Sequence, residues 1–474
     1  VDDLEAIPAL YLRIMARSTF LLVAMASLTG CVGRYSVMVA ESSPADSGHL
    51  PGDGVAEPFA RYQDYLDTLS LPTCPVSPYA DLVVTTAAFE NDGGTTLTDP
   101  LAAGAELSFY EAVWIARNRP GVDVIRFGPR FSETTAPRLQ VRCNDILTPF
   151  PNDWLTDVCI DGRGHEVVFE WDWGSDDNVG RIYCEWRLGP GSSQIGVSII
   201  NPWNSMAATQ ATIAGCRFGG DGHTMFRASS LILSLANAVT FGPGNILESG
   251  SFNLGINGRD SHIFGNHFGY DPVTGQIASS YQGFMVQAAA QDVIVEDNNV
   301  MALIPFSTMF ANSTSSLTAH HNWFGPYSDA WMGSPQFGAI EIYNGKVVLG
   351  PGNTITGSST AAIHVWGAAA QLTLTENSIT NNLAGIVYES PVVTPPTLLA
   401  ITAGQATGSC SQAGNVELFA DPGNQGQTFL ERLACDATAT WQSTAPLPSG
   451  RNLTATLTDP QGRTSSFSAP LAIP

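Results

Sequence analysis

Three groups of side chains have the types that chemistry needs. Asp172, Asp176 and Asp177, with Asn178 beside them, offer oxygen donors of the kind calcium takes. They lack the fixed spacing of a calcium loop, so a solvated acidic loop is the plainer reading, and calcium is the only cofactor raised. Trp154, Trp171, Trp173, Trp186 and Trp203 offer flat ring faces to sugars, against the alternative that they pack wide early coils and loop bases. His320 and His321 form a dyad beside Asn322 and Trp323. Neighbours on a strand point to opposite faces, so the two histidines are expected not to serve one metal or one substrate. His223, His262, His267 and His364 are scattered without metal-ligand spacing. The bases of the central region, Arg217, Arg227, Arg259 and Lys346, have no acidic partners visibly arranged around them for proton abstraction. A site assembled from successive turns of a repeat leaves no local motif, so the catalytic residues stay unknown and the balance leans away from an enzyme.

A repeat is what must position these groups. Between residues 193 and 389 an asparagine is followed two residues later by an apolar residue six times: Asn245/Leu247, Asn266/Phe268, Asn298/Val300, Asn322/Phe324, Asn353/Ile355 and Asn377/Ile379. Cys216 and Phe218 fit as a seventh pair, and Phe241-Gly-Pro-Gly-Asn245 nearly duplicates Leu349-Gly-Pro-Gly-Asn353. Subtraction spaces the asparagines 21, 32, 24, 31 and 24 residues apart, the period of a solenoid. Before them lie short runs alternating apolar and polar, such as Asp292-Val-Ile-Val-Glu296 and Gln371-Leu-Thr-Leu-Thr375, which read as strands. No helical period interrupts them. At the corners, asparagine is expected to take left-handed geometry and satisfy backbone groups, with side chains bonding to one another up the coil. The arrangement resembles the right-handed parallel β-helix of bacterial surface proteins and polysaccharide-active enzymes. Of the catalytic members, polygalacturonase-like enzymes imply Asn-Thr-Asp, Gly-His-Gly and Arg-x-Lys motifs, none of which occurs here.

Composition agrees. The 474 residues hold 46 Gly and 30 Pro with 13% charged residues, suiting a β-rich, turn-rich chain of two or three domains. With 43 acids against 20 bases the formal charge is −23, which argues against nucleic acid and suits an exported protein.

Residues 1–31 read as a signal. Arg13 and Arg17 precede the apolar run Phe20-Leu-Leu-Val-Ala-Met-Ala-Ser-Leu28, too short to span a membrane. Asp2, Asp3 and Glu5 are unusual in such a leader, so Met15 is a second candidate start. Leu28-Thr-Gly-Cys31 resembles the lipobox of bacterial lipoproteins, which implies cleavage before Cys31 and a lipid on its sulfur. That anchor is the only membrane contact expected, and Val32 points to the outer membrane rather than inner-membrane retention. Residues 32–79, rich in Ser, Pro, Gly and Asp with one short helix near 59–69, read as a flexible tether.

Residues 80–127 form a separate module: a strand over 82–86, a turn at Asn91-Asp-Gly-Gly94, a helix over 108–118 opening with the capping box Ser108-x-x-Glu111, and a returning strand over 124–127. Val-Thr-Thr, Asn-Asp-Gly-Gly-Thr, Leu-Ser-x-x-Glu-Ala and Pro-Gly-x-Asp-x-Ile-x-Phe in this order resemble the N-terminal module of the CSLREA family. Phe109 and Tyr110 replace its usual Leu-Arg, and no cysteine precedes. The resemblance implies a cap on a following β-helix, with Glu111 a capping residue.

The fold expected is all-β: a parallel β-helix over 128–390, a Pro-rich linker over 391–396, and an immunoglobulin-like β-sandwich over 397–474. Export favours pairing Cys410 with Cys435. Cys74, Cys143, Cys159, Cys184 and Cys216 remain, an odd number, with Cys143–Cys159 the most local option. The function expected is a monomeric surface lipoprotein for adhesion, display or glycan binding, the alternative being a polysaccharide lyase or glycoside hydrolase with a site in a helix groove.

Overall fold

The computed structural model describes residue 59 and residues 61–88, 96–132, 137–142, 154–172, 186–200, 205–219, 231–247, 252–277, 284–286, 290–300, 315–325, 339–358, 360–391, 393–437 and 440–474. Strands dominate, and they stack in parallel. The first sheet has eleven strands, from Leu82–Val84 through His262–Phe264, Val293–Glu296 and Ser316–His320 to Gln371–Leu374. The second has ten, from Leu139–Arg142 to Ser378–Thr380. Among the described residues a third face is formed by a five-stranded sheet ending at Phe284–Val286 and, later in the chain, by a three-stranded sheet of Ile340–Ile342, Ala361–Val365 and Ala384–Tyr388. The chain is a right-handed parallel β-helix.

Register explains the periodic apolar residues. In the first sheet Leu82, Ile125, Ile160, Gln194, Ile213, Phe241, Ile263, Val295, Ala319, Leu349 and Leu374 pair in succession and point inward. In the second sheet the residue two beyond each corner forms the matching column, from Phe218 through Leu247, Phe268, Val300, Phe324 and Ile355 to Ile379. A single coil leaves its inner face bare. Stacking closes it, at roughly 1.5–3 kcal/mol for each large apolar side chain buried.

The asparagines line the corner between these sheets. Asn245 Oδ1 accepts from Cys216 N at 2.9 Å, Asn298 Oδ1 from Asn266 N at 3.0 Å, and Asn353 Oδ1 from Asn322 N at 3.0 Å. Each amide group also donates to a carbonyl of the preceding coil, as Asn298 Nδ2 does to Ile263 O at 3.0 Å. The left-handed residue, however, is not the asparagine, as the sequence reading had it, but the one before it: Gly215, Gly244, Gly265, Asp297, His321, Gly352 and Glu376 have φ between 50° and 78°. The asparagine itself keeps its backbone regular and uses its side chain for the bonds. A second, shorter row at the next corner joins Ser358 N to Asn382 Oδ1 at 2.9 Å.

Both ends of the core are closed. At one end lies the helix Phe109–Asn118, with Ser108 N donating to Glu111 Oε2 at 2.9 Å and Glu111 N to Ser108 Oγ at 3.2 Å, a capping box. Phe109 packs against Phe169 and Trp186 at ring distances of 4.8 and 6.0 Å. At the other end stand three- and four-stranded antiparallel sheets with an apolar core shared between them. This sandwich does not hang from a linker. Ile379 and Gly426 exchange backbone hydrogen bonds at 2.8 and 2.9 Å, Thr464 N donates to Leu372 O at 2.7 Å, and Gln425 continues the shorter row by accepting from Asn382 Nδ2 at 3.0 Å.

The segment expected as a tether is, over its described part, a strap. Its helix Tyr62–Leu66 buries Tyr65 and Leu66 against Ile246 and Val273, and Tyr62 Oη donates to Gly215 O. Arg163 Nη1 donates to Pro72 O at 3.2 Å, and a disulfide joins Cys74 to Cys159. Composition misled here because the few aromatic and leucine side chains that dock are diluted among turn residues. Cys159 is therefore not paired with Cys143, which lies outside the described residues with Cys31 and Cys184. Cys410 is bonded to Cys435, and Cys216 is a buried free thiol whose pKa burial pushes up to about 11.

Candidate functional site

Several residues singled out above have structural work. Trp186 is in the core, and Trp154 is 38% exposed with the Arg187 guanidinium 5.7 Å from its ring. Trp173, Trp203, Asp176 and Asp177 lie outside the described residues, and for Trp171 and Asp172 only the backbone, in the strand Val168–Asp172, is described. Arg217, expected to lack an acidic partner, forms a buried ion pair with Asp271 at 2.6 Å. Sequence missed it because the two are 54 positions apart. Arg259 bonds Gln291, and Lys346 is exposed.

The densest chemistry outside the core is on the three-stranded sheet, and register builds it. Ile340, Ile363 and Ile386 pair in line, each 23 residues from the next by subtraction, and face inward. Alternation turns Glu341, His364 and Val387 to the other side as one column. The same spacing two residues later sets Tyr343, Trp366 and Glu389 beside them, with Trp366 N on Ile342 O at 2.8 Å and Glu389 N on Val365 O at 3.0 Å continuing the ladder. Three rungs thus display two carboxylates, an imidazole, an indole and a phenol.

They interlock. His364 Nε2 lies 3.0 Å from Glu389 Oε1, and His364 Nδ1 lies 3.9 Å from Glu341 Oε1. Glu341 is fully buried and accepts from the Trp366 indole N–H, whereas the Glu389 side chain is 51% exposed. The Tyr343 and Trp366 rings stack 5.8 Å apart at 5°, and the His364 ring lies 4.0 Å from Trp366. Burial, and after it the negative charge of Glu341, raises the Tyr343 pKa to about 12, so the phenol stays a hydrogen-bond donor at neutral pH. The imidazole thereby sits between an inner carboxylate and an outer one, within hydrogen-bond distance of Glu389. Of these groups Glu389 is exposed, Tyr343 and Trp366 are half-buried, and Glu341 and His364 are buried.

The sequence reading named His364 only as scattered and passed over Glu341 and Glu389. The signal was present in the 23-residue repeat of Ile-Glu-Ile-Tyr, Ile-His-Val-Trp and Ile-Val-Tyr-Glu. The corner asparagines, 21 to 32 residues apart, do not share that spacing and so do not reveal it.

His320 and His321 do not lie on opposite faces of one strand. The strand ends at His320, and His321 has φ 55°, so the chain turns and brings the two Nδ1 atoms to 3.3 Å instead of opposing the rings. Among the described residues no group of three or more histidine, cysteine or carboxylate side chains is already gathered as a metal site, and no helix is long and apolar enough to cross a membrane. No family model matches the sequence, and no curated protein matches it.

Proposed function

We propose that this chain is an exported lipoprotein with a CSLREA-like cap, anchored through Cys31 at the bacterial outer surface, that binds glycans without cleaving them. The contact region is the array of Tyr343, His364, Trp366 and Glu389. One observation carries the reading: three consecutive rungs in register place hydrogen-bonding groups of both polarities around an aromatic stack. Sugars present the complementary alternation of hydroxyls and C–H faces. The elongated coil adds length for a chain-like ligand, and its rigid strands hold the groups without an ordering cost on binding.

A second reading is favoured by a specific feature. Glu341 and Glu389 flank one imidazole on successive rungs, the composition of a general acid–base site in a lyase or hydrolase. The decisive experiment incubates the chain from residue 32 onward with neutral, amino-sugar and uronate polysaccharides, with and without calcium. It reads both retention and release of reducing or unsaturated ends. Retention without release, weakened about tenfold or more by Trp366→Ala or Glu389→Gln and unchanged by Trp154→Ala, supports binding. Release of ends that Glu341→Gln abolishes replaces it with the enzyme. Absence of both retention and release overturns both readings.

A further inference from the structure

A second cluster lies on the first sheet, at the corner between it and the second. His320 closes the strand Ser316–His320, and His321 follows in the left-handed slot that Asp297 occupies one coil earlier. Their rings meet edge to face, with centroids 5.1 Å apart. We propose that His320 Nδ1 and His321 Nδ1, joined by the Asp297 carboxylate, bind a divalent transition metal of the zinc or copper class.

The separation of the two nitrogens fits such a metal. Two nitrogen ligands held at about 2.0–2.1 Å in tetrahedral geometry stand roughly 3.3 Å apart, and these Nδ1 atoms, which share a hydrogen bond in the metal-free chain, are already 3.3 Å apart. Asp297 Oδ1 is 3.9 Å from His321 Nδ1 on a side chain 64% exposed to solvent. A turn about its side-chain bonds brings an oxygen into the sphere, which explains why three ligands are not already gathered. Water fills the remaining position. Two imidazoles select borderline metals over calcium or magnesium, which take oxygen ligands.

His320 is supported from behind. His320 pairs in register with Glu296, and its Nε2 lies 3.3 Å from Glu296 Oε2. The other oxygen of Glu296 is 2.6 Å from His262 Nε2, and the His262 ring stacks on Phe264 at 4.5 Å. A carboxylate on Nε2 holds the proton there, fixes the ring and leaves the Nδ1 lone pair free for a metal. His321 is steadied differently. Its ring rests on Gly352, where an added Cβ would stand 2.4 Å from His321 Cδ2, so only glycine leaves the ring its place. Five side chains from three consecutive rungs therefore act as two imidazole ligands, one carboxylate ligand and a buttress. The site is independent of the glycan array on the other sheet.

The test is titration calorimetry and metal analysis on the full chain in detergent, without a histidine tag, at pH 7.5, using zinc, copper and, as a control, calcium. One equivalent of zinc or copper is expected, with no calcium at the same concentration. His320→Ala and His321→Asn, the latter keeping a residue that accepts left-handed geometry, should each weaken binding by more than about 30-fold, and Glu296→Gln by about 10–100-fold. His364→Ala should leave it unchanged. Copper-bound protein should show nitrogen coupling from two imidazoles in its electron paramagnetic resonance spectrum. Unaltered melting of metal-free variants separates ligand loss from misfolding. Undiminished binding in the His320→Ala/His321→Asn double variant, or no binding by the unaltered chain at tens of micromolar metal, overturns the proposal.

Discussion

The corner between the first and second sheets can be compared with itself. Gly215 and Gly244 sit beneath the strap, while Asp297 and His321 occupy the same slot in the open. The backbone is left-handed in all four, and each precedes a member of the ladder. A Cβ on Gly244 would lie 2.1 Å from Leu69 Cδ1, and one on Gly215 would lie 2.9 Å from Leu66 Cδ2. At Gly215 and Gly244 glycine leaves room for the leucines of the strap, and at Asp297 and His321, which are exposed, side chains that tolerate the strain fill the slot. The same coil geometry thus yields a docking seam along one stretch and a display of ionisable groups along another.

The largest effect tests what both stretches share. Asn298→Leu removes the acceptor for Asn266 N and Asn266 Nδ2 and the donor to Ile263 O. We expect a loss of about 4 kcal/mol, several buried groups at about 1–3 kcal/mol each, in denaturant unfolding. Asn245→Leu should cost a similar amount beneath the strap, and a loss below about 1 kcal/mol for either would deny the ladder its supporting role. Next comes the contrast itself. Gly244→Val should cost about 3 kcal/mol through strain and the clash with Leu69, whereas Asp297→Gly should change stability by less than about 1 kcal/mol. Equal costs would remove the distinction between covered and open corners.

The disulfide comes third. Cys74→Ser with Cys159→Ser frees a strap closed across 85 positions and should cost about 2–4 kcal/mol. Limited proteolysis should then cut within residues 61–79 first, while cutting in the solenoid first would show that the strap holds by packing alone.

The smallest effect is a pH dependence of strap docking. Burial lowers the pKa of His267 to about 4, against the pull of Asp271, and Tyr65 of the strap packs 6.0 Å from its ring. The folded pKa lies below the unfolded value near 6.5, so the unfolded chain binds more protons between these limits. Stability from this group is complete above pH 6.5 and is lost as pH falls toward 4. With the ring partly open to solvent, on the order of 2 kcal/mol is expected. Protection factors of the strap amides, taken relative to the intrinsic exchange rate at each pH, should fall as pH drops through that window, and His267→Gln should flatten the change.

Much of the coil was legible beforehand because its forces are local and repeated. The Asn-x-apolar spacing marked the corners and the second-sheet core, alternation marked the strands, and Ser108-x-x-Glu111 marked the capped helix. Misreadings arose where one residue's geometry depends on its neighbours. Asparagine's tolerance of left-handed φ points to the wrong residue of each corner, and strand alternation fails for His320 and His321 because the strand ends between them.

Sequence alone determined a parallel solenoid with a helical cap and a terminal all-β domain, since periodic burial and capping are written in consecutive residues. Tertiary structure alone decided that residues 61–79 strap the coil, that Cys74 reaches Cys159, that Gln425 of the sandwich continues the row of Asn382, and that Glu341, His364 and Glu389 meet. Each joins residues tens of positions apart, and their approach is set by how the strap and the sandwich dock on the coil and by which rungs stack, neither of which is written in consecutive residues.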